Sequence, residues 1–318
     1  MALDSPRGSD CDVLCVGHAS YDLVFSVPRH PLPDDKLFAD AFLACGGGPA
    51  ANAAVIVARL GLRAAFAGYL GDDLYGDSHA AEFAREGVDT RRLIRGASPT
   101  PLSAVLVKPD GARALVNFKG ETQALPADAI DFSAIMPKVV LFDGHEPQLS
   151  PPLAERVRAE GTPTVLDAGS LHEGTKKLMG RVEYLVASEK FAAQWLGSDD
   201  AQAALAGLSE RAPVVVITLG ERGLVWRRSG ESGALPAFPV QAVDTTGAGD
   251  AFHGAFAAGL ALGMPWLDLL RYASAAGAWC CARAGARPGL ATQEELQAFL
   301  QENPDSKGKL LTARPFPY

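Results

Sequence analysis

Four apolar segments recur in residues 138–219: KVVLF (138–142), PTVLD (163–167), VEYLVA (182–187) and VVVITL (214–219). Each segment is short and rich in valine, isoleucine or leucine, which is typical of strands buried on both faces. Stretches with helical spacing lie between them, at 153–160 and 201–208. Buried strands that alternate with helices predict an α/β protein whose parallel sheet is covered on both sides.

The same rhythm extends outward from this region in both directions. Toward the N-terminus, the sequence predicts a strand at 12–17, a helix at 50–60 that follows a glycine-rich turn, a strand at 63–69 and a helix at 77–86. Toward the C-terminus, it predicts β structure at 224–226 and 237–243, then helices at 251–262, 265–284 and 292–301. We find no repeat and no interdomain linker, so we expect one domain over residues 1–318.

Two segments, residues 22–43 and 101–118, interrupt this rhythm with alternating polar and apolar residues. Prolines break the first segment, and Asp110-Gly111 is typical of the turn of a hairpin in the second. Alternation implies one exposed face, so we expect a small β-sheet lid over the carboxyl ends of the main strands, where open α/β folds bind ligands. Apolar residues exposed on such a lid could join two copies of the chain as a homodimer.

Composition and charge limit the classes of partner. The chain has 48% hydrophobic and 21% charged residues, values ordinary for a globular protein. Its net charge of −8 argues against nucleic acid or an anionic membrane as the main partner. It contains no apolar run long enough to span a membrane. The five cysteines match no zinc spacing, and an odd number of them indicates reduced thiols, so we expect a cytoplasmic protein.

The candidate catalytic and anion-binding residues lie in one segment, VDTTGAGDAFHGAF, residues 243–256. Gly247, Ala248 and Gly249 are small, so the backbone can approach a ligand closely, and a helix is expected to begin near Asp250. The unpaired first amides of a helix and its dipole bind anions. Asp250 in that turn suits a general base that deprotonates a hydroxyl beside an anion hole. The alternative is that Asp250 only caps the helix.

This stretch resembles the second signature of the ribokinase/PfkB carbohydrate kinase family. The first signature has its counterpart in GGPAANAA (47–54), and the resemblance covers roughly Asp12 to Leu300. The residues of these motifs are most similar to those of the sulfofructose kinase and ketohexokinase branches. The resemblance implies a ribokinase-like three-layer sandwich with a central, mostly parallel sheet and a β-sheet lid. It also implies phosphorylation of a small-molecule sugar with ATP and Mg²⁺.

The resemblance assigns roles to matching positions. Asp250 is the expected base, and residues 247–249 form the expected anion hole. The positions expected to contact the sugar are Asp22, Gly47, Gly48, Asn52, Asn117 and His145. Asn117 could equally be an asparagine at a hairpin edge, and His145, where related branches often carry arginine, could be an ordinary loop residue.

The nucleotide side departs from the family pattern. The strand and turn VITLGERG (216–223) implies nucleotide contacts through Thr218, Gly220 and Gly223. The family's Asn-x-x-Glu pattern, which helps to organise magnesium and phosphate, is replaced here by Ser188 and Phe191. We still assign Ser188 to the nucleotide site and expect Mg²⁺, held mainly through water and the nucleotide.

A monovalent-cation site is implied near Asp244 and Thr246, beside the loop GARPG (285–289). Gly289 replaces a serine that family members often carry there, so activation by K⁺ is an open question. The acceptor is also open: the sequence favours a ketose or furanose-type sugar, with a nucleoside as an alternative. A sugar- or nucleotide-binding sensor without turnover is a third hypothesis, prompted by the altered residues 188–191.

Overall fold

The computed structural model describes residues 10–304, which form thirteen strands in two sheets. In chain order the strands are β1 (Cys11–Val16), β2 (Ser20–Ser26), β3 (Ala41–Gly47), β4 (Ala64–Gly71), β5 (Asp89–Gly96), β6 (Leu102–Val107), β7 (Arg113–Phe118), β8 (Pro137–Phe142), β9 (Thr164–Ala168), β10 (Tyr184–Ser188), β11 (Val214–Thr218), β12 (Leu224–Arg228) and β13 (Glu231–Leu235). The helices are α1 (Pro49–Arg59), α2 (Leu74–Arg85), α3 (Ser150–Ala159), α4 (Glu173–Leu178), α5 (Glu189–Leu196), α6 (Ala201–Leu208), α7 (Ala248–Ala261), α8 (Trp266–Cys281), α9 (Ala286–Gly289) and α10 (Gln293–Glu302).

The large sheet has nine strands in the order β13-β12-β11-β10-β9-β8-β1-β4-β5. Every neighbouring pair from β11 to β5 is parallel, whereas the pairs that β12 makes with β11 and β13 at one edge are antiparallel. All residues of β1 and β9 are buried, as expected for strands covered on both faces. The predicted mostly parallel sheet is confirmed.

Two hydrophobic cores lie on opposite faces of this sheet and make the three layers. One core joins the sheet to α1, α7 and α8, and the other joins it to α3, α5 and α6. Successive side chains of β1 supply both cores: Val13 and Cys15 belong to the first, and Leu14 and Val16 to the second. The three-layer α/β sandwich is therefore confirmed.

The small sheet, called the lid from here on, has the strand order β3-β2-β6-β7. Its strands come from the two segments with alternating sequence, 22–43 and 101–118, so the predicted separate β sheet is confirmed. The turn between β6 and β7 reaches the second signature, because a side chain at Gly111 would lie 3.1 Å from the carbonyl oxygen of Val243. The lid therefore closes against the segment that leads into α7.

The β structure predicted at 237–243 is wrong. The chain there is irregular, and the edge of the sheet is formed by β13 instead. Pro236 and Pro239 lack the amide hydrogens that a strand ladder needs. Ser229 and Gly230 both have positive φ, 50° and 83°, and so form the tight turn that pairs β12 with β13. The predicted single domain over residues 1–318 extends beyond the described residues at both ends and stays a prediction.

Candidate active site

The two glycine-rich signatures meet at one hydrogen bond. Asn52 lies in α1, and Asp250 lies in the first turn of α7. The Asn52 Nδ2 donates to Asp250 Oδ2 at 2.6 Å, although the two residues are 198 positions apart. Asn52 is only 2% exposed, so its amide is held by the protein rather than by water. The fold thus brings the predicted sugar-binding amide against the predicted base.

Gly47 and Gly48 are glycines because the backbone passes very close to other groups. A side chain at Gly47 would lie 2.3 Å from the Asp22 carboxylate. Gly48 has φ of 97°, and its side chain would lie 2.5 Å from the carbonyl oxygen of His18. Any other residue at these positions would push Asp22 or the loop after β1 away.

Asp22 lies on the lid in register with two further polar residues. It pairs with Ser103 on β6, which in turn pairs with Asn117 on β7. Ser20 Oγ donates to Asp22 Oδ1 at 3.0 Å. Burial raises the pKa of Asp22 to about 6, against the opposing effect of the hydrogen bonds from Ser20 and Ser103. The lid therefore places Asp22 and Asn117 two strands apart; Ser103 between them was not predicted.

Arg287 completes the network behind Asn52, and the sequence did not single it out. Its Nε donates to Asn52 Oδ1 at 3.1 Å, and only 2% of its surface is exposed. Because the guanidinium can only donate, it fixes Asn52 with its oxygen toward Arg287 and its NH₂ group toward Asp250. Arg287 Nη1 lies 3.3 Å from Glu82 Oε1, and Glu82 Oε2 accepts from the Gly46 amide at 2.6 Å. The network reaches the end of β3 in the lid.

The surroundings of Asp250 act on its pKa in both directions. Removal from water raises its pKa, while the hydrogen bond from Asn52 and the neighbouring His253 and Arg113 side chains act in the opposite direction. Arg113 begins β7 of the lid. A carboxylate whose pKa lies above its ordinary value accepts a proton more readily, which suits a base.

The segment 247–249 leaves the start of α7 accessible. Gly247 has φ of 79°, a left-handed conformation, and a side chain there would lie 2.6 Å from the Ala286 Cβ atom. Among the described residues, no side chain caps the N-terminus of this 14-residue helix. A side chain at Gly249 would meet none of their atoms within 4 Å, so packing against them does not explain this glycine. Ala248 N donates to the Thr245 carbonyl oxygen at 3.4 Å, while the open space at Gly249 and the uncapped start of the helix fit an anionic group such as a phosphate.

Asp143 organises the carboxyl ends of β1 and β8, although sequence analysis assigned it no role. Its carboxylate accepts from the backbone amides of His18 at 2.7 Å, Ala50 at 3.1 Å and His145 at 2.9 Å. It therefore fastens the loop after β1, the start of α1 and the loop after β8 together. No sequence pattern points to this role, because the three amides lie far apart in the chain.

His145 lies between two other histidine rings. Its ring centroid is 5.0 Å from that of His18 and 4.8 Å from that of His172. Burial lowers the pKa of His18 far below its ordinary value, and burial and His145 lower the pKa of His172. His18 and His145 line a cavity together with Lys119 and Glu146. Burial raises the pKa of Glu146 to about 7.

The predicted nucleotide residues follow adjacent strands, as the sequence indicates. Ser188 ends β10 and caps α5: its Oγ accepts from the Phe191 amide at 3.0 Å and donates to the Gly169 carbonyl at 2.8 Å. Thr218 ends β11, and Gly220 begins the 3₁₀ turn that follows it. Their hydroxyl and backbone groups lie at the carboxyl edge of the sheet.

The two glycines of this turn differ in what surrounds them. Gly220 has φ of 59°, and a side chain there would meet no atom of the described residues within 4 Å, so its space is open. Gly223 has φ of 86°, and a side chain there would lie 2.0 Å from the Leu235 carbonyl oxygen. Packing against β13 alone therefore explains Gly223, whereas Gly220 is available to a ligand.

The residues that replace the family's magnesium pattern do not form a metal site of their own. Phe191 is fully buried in the core beneath α5, and Glu189 is paired with Arg222. Within residues 10–304, no cluster of three or more histidine, cysteine, aspartate or glutamate side chains is arranged to hold a metal ion. These positions therefore fit a metal that arrives with the nucleotide better than one held by the protein.

Asp244 joins the two segments predicted to hold a monovalent cation, namely the residues before α7 and the loop at 285–289. Its Oδ1 accepts from the Thr246 amide at 2.8 Å and its Oδ2 from the Gly285 amide at 2.9 Å. Thr246 Oγ1 is buried and has no hydrogen-bond partner among the described residues. An unpaired buried oxygen fits a cation ligand, and each oxygen of Asp244 keeps a lone pair beyond the one hydrogen bond that it accepts. The cation site stays a prediction.

The part of the chain that the structure describes contains no helix whose length and apolar character would let it cross a membrane.

Comparison with known proteins identifies the family. The family model for pfkB family carbohydrate kinases matches residues 11–293. A ribokinase of Haemophilus influenzae is 28% identical over 299 residues, which cover 90% of this chain and 97% of that protein. The solved ribokinase of Thermotoga maritima has a TM-score of 0.81 at 26% identity, covering 92% of this chain and 99% of that one. A fructokinase with bound ATP from Xylella fastidiosa has a TM-score of 0.77 at 25% identity, with the same coverage. The chain belongs to the pfkB family of carbohydrate kinases and is a sugar kinase, a phosphotransferase with the ribokinase-like fold.

Proposed function

We propose that this protein transfers the γ-phosphoryl group of ATP to a hydroxyl of a small ketose or furanose-type sugar, with Asp250 as the general base. The single observation that carries the proposal is the hydrogen bond between Asn52 and Asp250. It unites the two signatures around one carboxylate, beside a helix N-terminus that is free to bind an anion.

In the proposed mechanism the lid and α1 position the acceptor. Asp22 and Asn117 on the lid and Asn52 on α1 bind sugar hydroxyls, and His145 bounds the sugar at the end of β8. The Asp250 carboxylate takes the proton of the reacting hydroxyl while the hydroxyl oxygen attacks the γ-phosphorus, and the bond to ADP breaks. The amides of residues 247–249 stabilise the charge of the transferred group.

The nucleotide is bound at the carboxyl ends of β10 and β11. Open backbone at Gly220 and the hydroxyl of Thr218 support this placement, and Ser188 shapes the edge of the site. Mg²⁺, when bound with ATP, neutralises phosphate charge. It would be held mainly through the nucleotide and water, because Phe191 supplies no ligand and Glu189 is paired with Arg222.

A neutral sugar is favoured over an anionic one. Burial lowers the pKa values of His18 and His172, so these rings beside His145 are uncharged near neutral pH. Neutral imidazoles exchange hydrogen bonds with hydroxyl groups rather than attract an anion. The ribokinase and fructokinase named among the relatives support a pentose or a hexose ketose as the acceptor.

An ADP-release assay over ribose, fructose, other ketoses, phosphosugars, sulfosugars and nucleosides tests the proposal. We expect sugar-stimulated ADP release with a neutral furanose or ketose. Activity with a nucleoside alone would replace the sugar by a nucleoside as acceptor. Thermal stabilisation by sugars without any stimulated ADP release would instead identify a sensor that has lost turnover.

We also propose that two copies of the chain form a homodimer through their lids. Each chain is proposed to form one domain over residues 1–318. Phe42, Val116 and Phe118 on the strands of the lid are 59%, 70% and 54% exposed, although they are large and apolar. Pairing of two lids would remove these side chains from water. Sedimentation equilibrium tests this: Val116→Asp should shift a dimer toward monomer, and a wild-type monomer at micromolar concentration would contradict the proposal.

A further inference from the structure

His253 lies one turn after Asp250 on α7 and is buried, as is its partner Asp167 at the end of β9. The His253 Nδ1 atom is 2.6 Å from the Gly249 carbonyl oxygen and 3.2 Å from Asp167 Oδ2. The Nε2 atom is 3.1 Å from the carbonyl oxygen of Val186 on β10. Both ring nitrogens therefore face oxygen atoms that accept hydrogen bonds.

This geometry specifies the charge of the ring. A neutral imidazole has one N–H group and one lone pair, whereas the charged ring has two N–H groups. Carbonyl oxygens only accept, so a neutral His253 would direct a lone pair at a carbonyl of either Gly249 or Val186. The doubly protonated ring satisfies both carbonyls, and the Asp167 carboxylate supplies its counter-charge.

His253 and Asp167 both interact electrostatically with the proposed base, Asp250. The charged groups that act on Asp250 are His253 on its own helix, Asp167 on β9, Asp143 after β8, Asp22 and Arg113 on the lid. Three of these five are carboxylates, and burial also opposes a charge on Asp250. Arg113 belongs to the lid, and Arg287 is separated from Asp250 by Asn52. His253 is therefore the cation of the sandwich that acts on Asp250 most directly.

We propose that His253, held as an imidazolium by Gly249, Val186 and Asp167, is a positioning residue that keeps Asp250 ionised and anchors the start of α7. The Gly249 carbonyl that accepts the hydrogen bond from His253 belongs to the anion-hole segment, so one side chain orders the loop and balances the charge of the base. This inference rests on the proposed function of Asp250.

Two conservative variants separate charge from structure. His253→Gln keeps a hydrogen-bond donor and removes the positive charge, whereas Asp167→Asn keeps the size of the side chain and removes a negative one. The single-turnover rate of phosphoryl transfer at saturating sugar and ATP reports the ionisation of the base across pH. His253→Gln should move the acid limb of this profile upward by about one pH unit, since one nearby opposite charge shifts a pKa by about that much.

Asp167→Asn removes the counter-charge of the buried ring, so His253 should lose its second ring proton at a lower pH, which ¹⁵N-histidine spectra of the variant measure. His30→Gln, a histidine outside this cluster in the loop after β2, is the control and should leave the limb in place. An unmoved limb in His253→Gln would overturn the proposal. So would an unchanged protonation of the His253 ring in Asp167→Asn, since a merely structural role predicts loss of rate without either change.

A readout without activity keeps this inference separable from the proposed function. In ¹⁵N-histidine-labelled protein, the wild-type His253 ring should show two protonated nitrogens at pH 8, its resonance being assigned by its loss in His253→Gln or His253→Asn. A ring with one unprotonated nitrogen at that pH overturns the proposal. A charged His253 in a chain with no sugar-stimulated ADP release would overturn the proposed function but not the charge of the ring.

Discussion

The acceptor side and the nucleotide side of the cleft are built in different ways. On the acceptor side, buried side chains form a continuous network in which Asn52 bonds to both Asp250 and Arg287. On the nucleotide side, the Ser188 hydroxyl serves the cap of α5 and Gly220 offers open backbone. One side is pre-arranged by side chains, and the other presents mainly main-chain groups.

This difference matches the chemistry that each side must perform. A sugar presents many hydroxyl groups, so discrimination and deprotonation need donors and acceptors at fixed positions. A polyphosphate is bound well by backbone amides and a helix N-terminus, which need little from particular side chains. We therefore expect substitutions on the acceptor side to change turnover and sugar binding, and those on the nucleotide side to act mainly through stability.

The largest expected effect comes from Asp250→Asn. The amide keeps the size of the side chain and can still bond to Asn52, but it cannot accept the proton. The rate constant kcat should fall about 10²- to 10⁴-fold, while binding of ATP changes little. Steady-state kinetics and a nucleotide titration measure the two effects.

Asp268→Asn is the matched control, since Asp268 lies in the first turn of α8, away from the cleft. It should leave kcat unchanged. If Asp250→Asn retained near-normal turnover, the acceptor side would be no more than a binding surface and the proposed base would be wrong.

Gly47→Ala should produce the next largest effect. The added carbon would lie 2.3 Å from the Asp22 carboxylate and force it to move. Loss of a hydrogen bond from a charged group costs about 1.5–3 kcal/mol, so KM for the sugar should rise about ten- to 100-fold. KM for ATP should not change.

Gly180→Ala provides the comparison for the glycine substitution itself. Among the described residues, a side chain at Gly180 would meet only the Arg211 carbonyl oxygen, at 4.0 Å. An equal rise in both KM values for Gly47→Ala would show that the two sides of the cleft are coupled rather than separate.

The pH dependence of sugar binding should follow Asp22. Burial raises its pKa to about 6, so the carboxylate that accepts from sugar hydroxyls is lost as the pH falls through that value. Between pH 7.5 and pH 5, KM for the sugar should rise about tenfold, which is the ratio of protonated to ionised carboxyl one unit below the pKa.

Unfolding does not explain such a rise. Because the folded-state pKa of Asp22 lies above its ordinary value, its contribution to the free energy of unfolding grows as the pH falls through this window. Thermal melts at the same pH values check that point. A pH-independent KM for the sugar would remove Asp22 from the acceptor site.

The smallest effect is expected from Ser188→Ala. Loss of this N-cap should lower the free energy of unfolding by about 1 kcal/mol, with little change in kcat. Asp200→Ala removes the comparable cap of α6, which accepts from Gln202 and Ala203, and should cost a similar amount. A large rise in KM for ATP with Ser188→Ala alone would show that side chains matter on the nucleotide side too.

Much of the fold could be predicted because the signals are local. Valine-rich runs without alternation indicate buried parallel strands, and the alternating segments at 22–43 and 101–118 indicate the lid. The error at 237–243 arose because apolar residues there suggested a strand, whereas Pro236 and Pro239 favour irregular chain. The strand β13 was missed because glutamate, serine and glycine in its first half give no apolar run.

The candidate site also has residues that local sequence signals predict and residues that they do not. Small residues around Asp250 and before Asn52 are visible in the chain because close backbone approach demands them. Arg287, Asp143 and His253 were not assigned a role, since each acts on partners that are distant in sequence. Nothing local distinguishes a buried arginine that orients an amide from an exposed one in a loop.

The sequence by itself determined the fold class, the lid segments and the two signatures, because backbone preferences and glycine requirements are set by neighbouring residues. Tertiary structure alone decided that Asn52 and Asp250 touch, that Arg287 sets the orientation of the amide, and that His253 lies between two carbonyls and a carboxylate. Hydrogen bonding and charge depend on distances in space, and only the folded chain brings these distant residues within a few ångströms of each other.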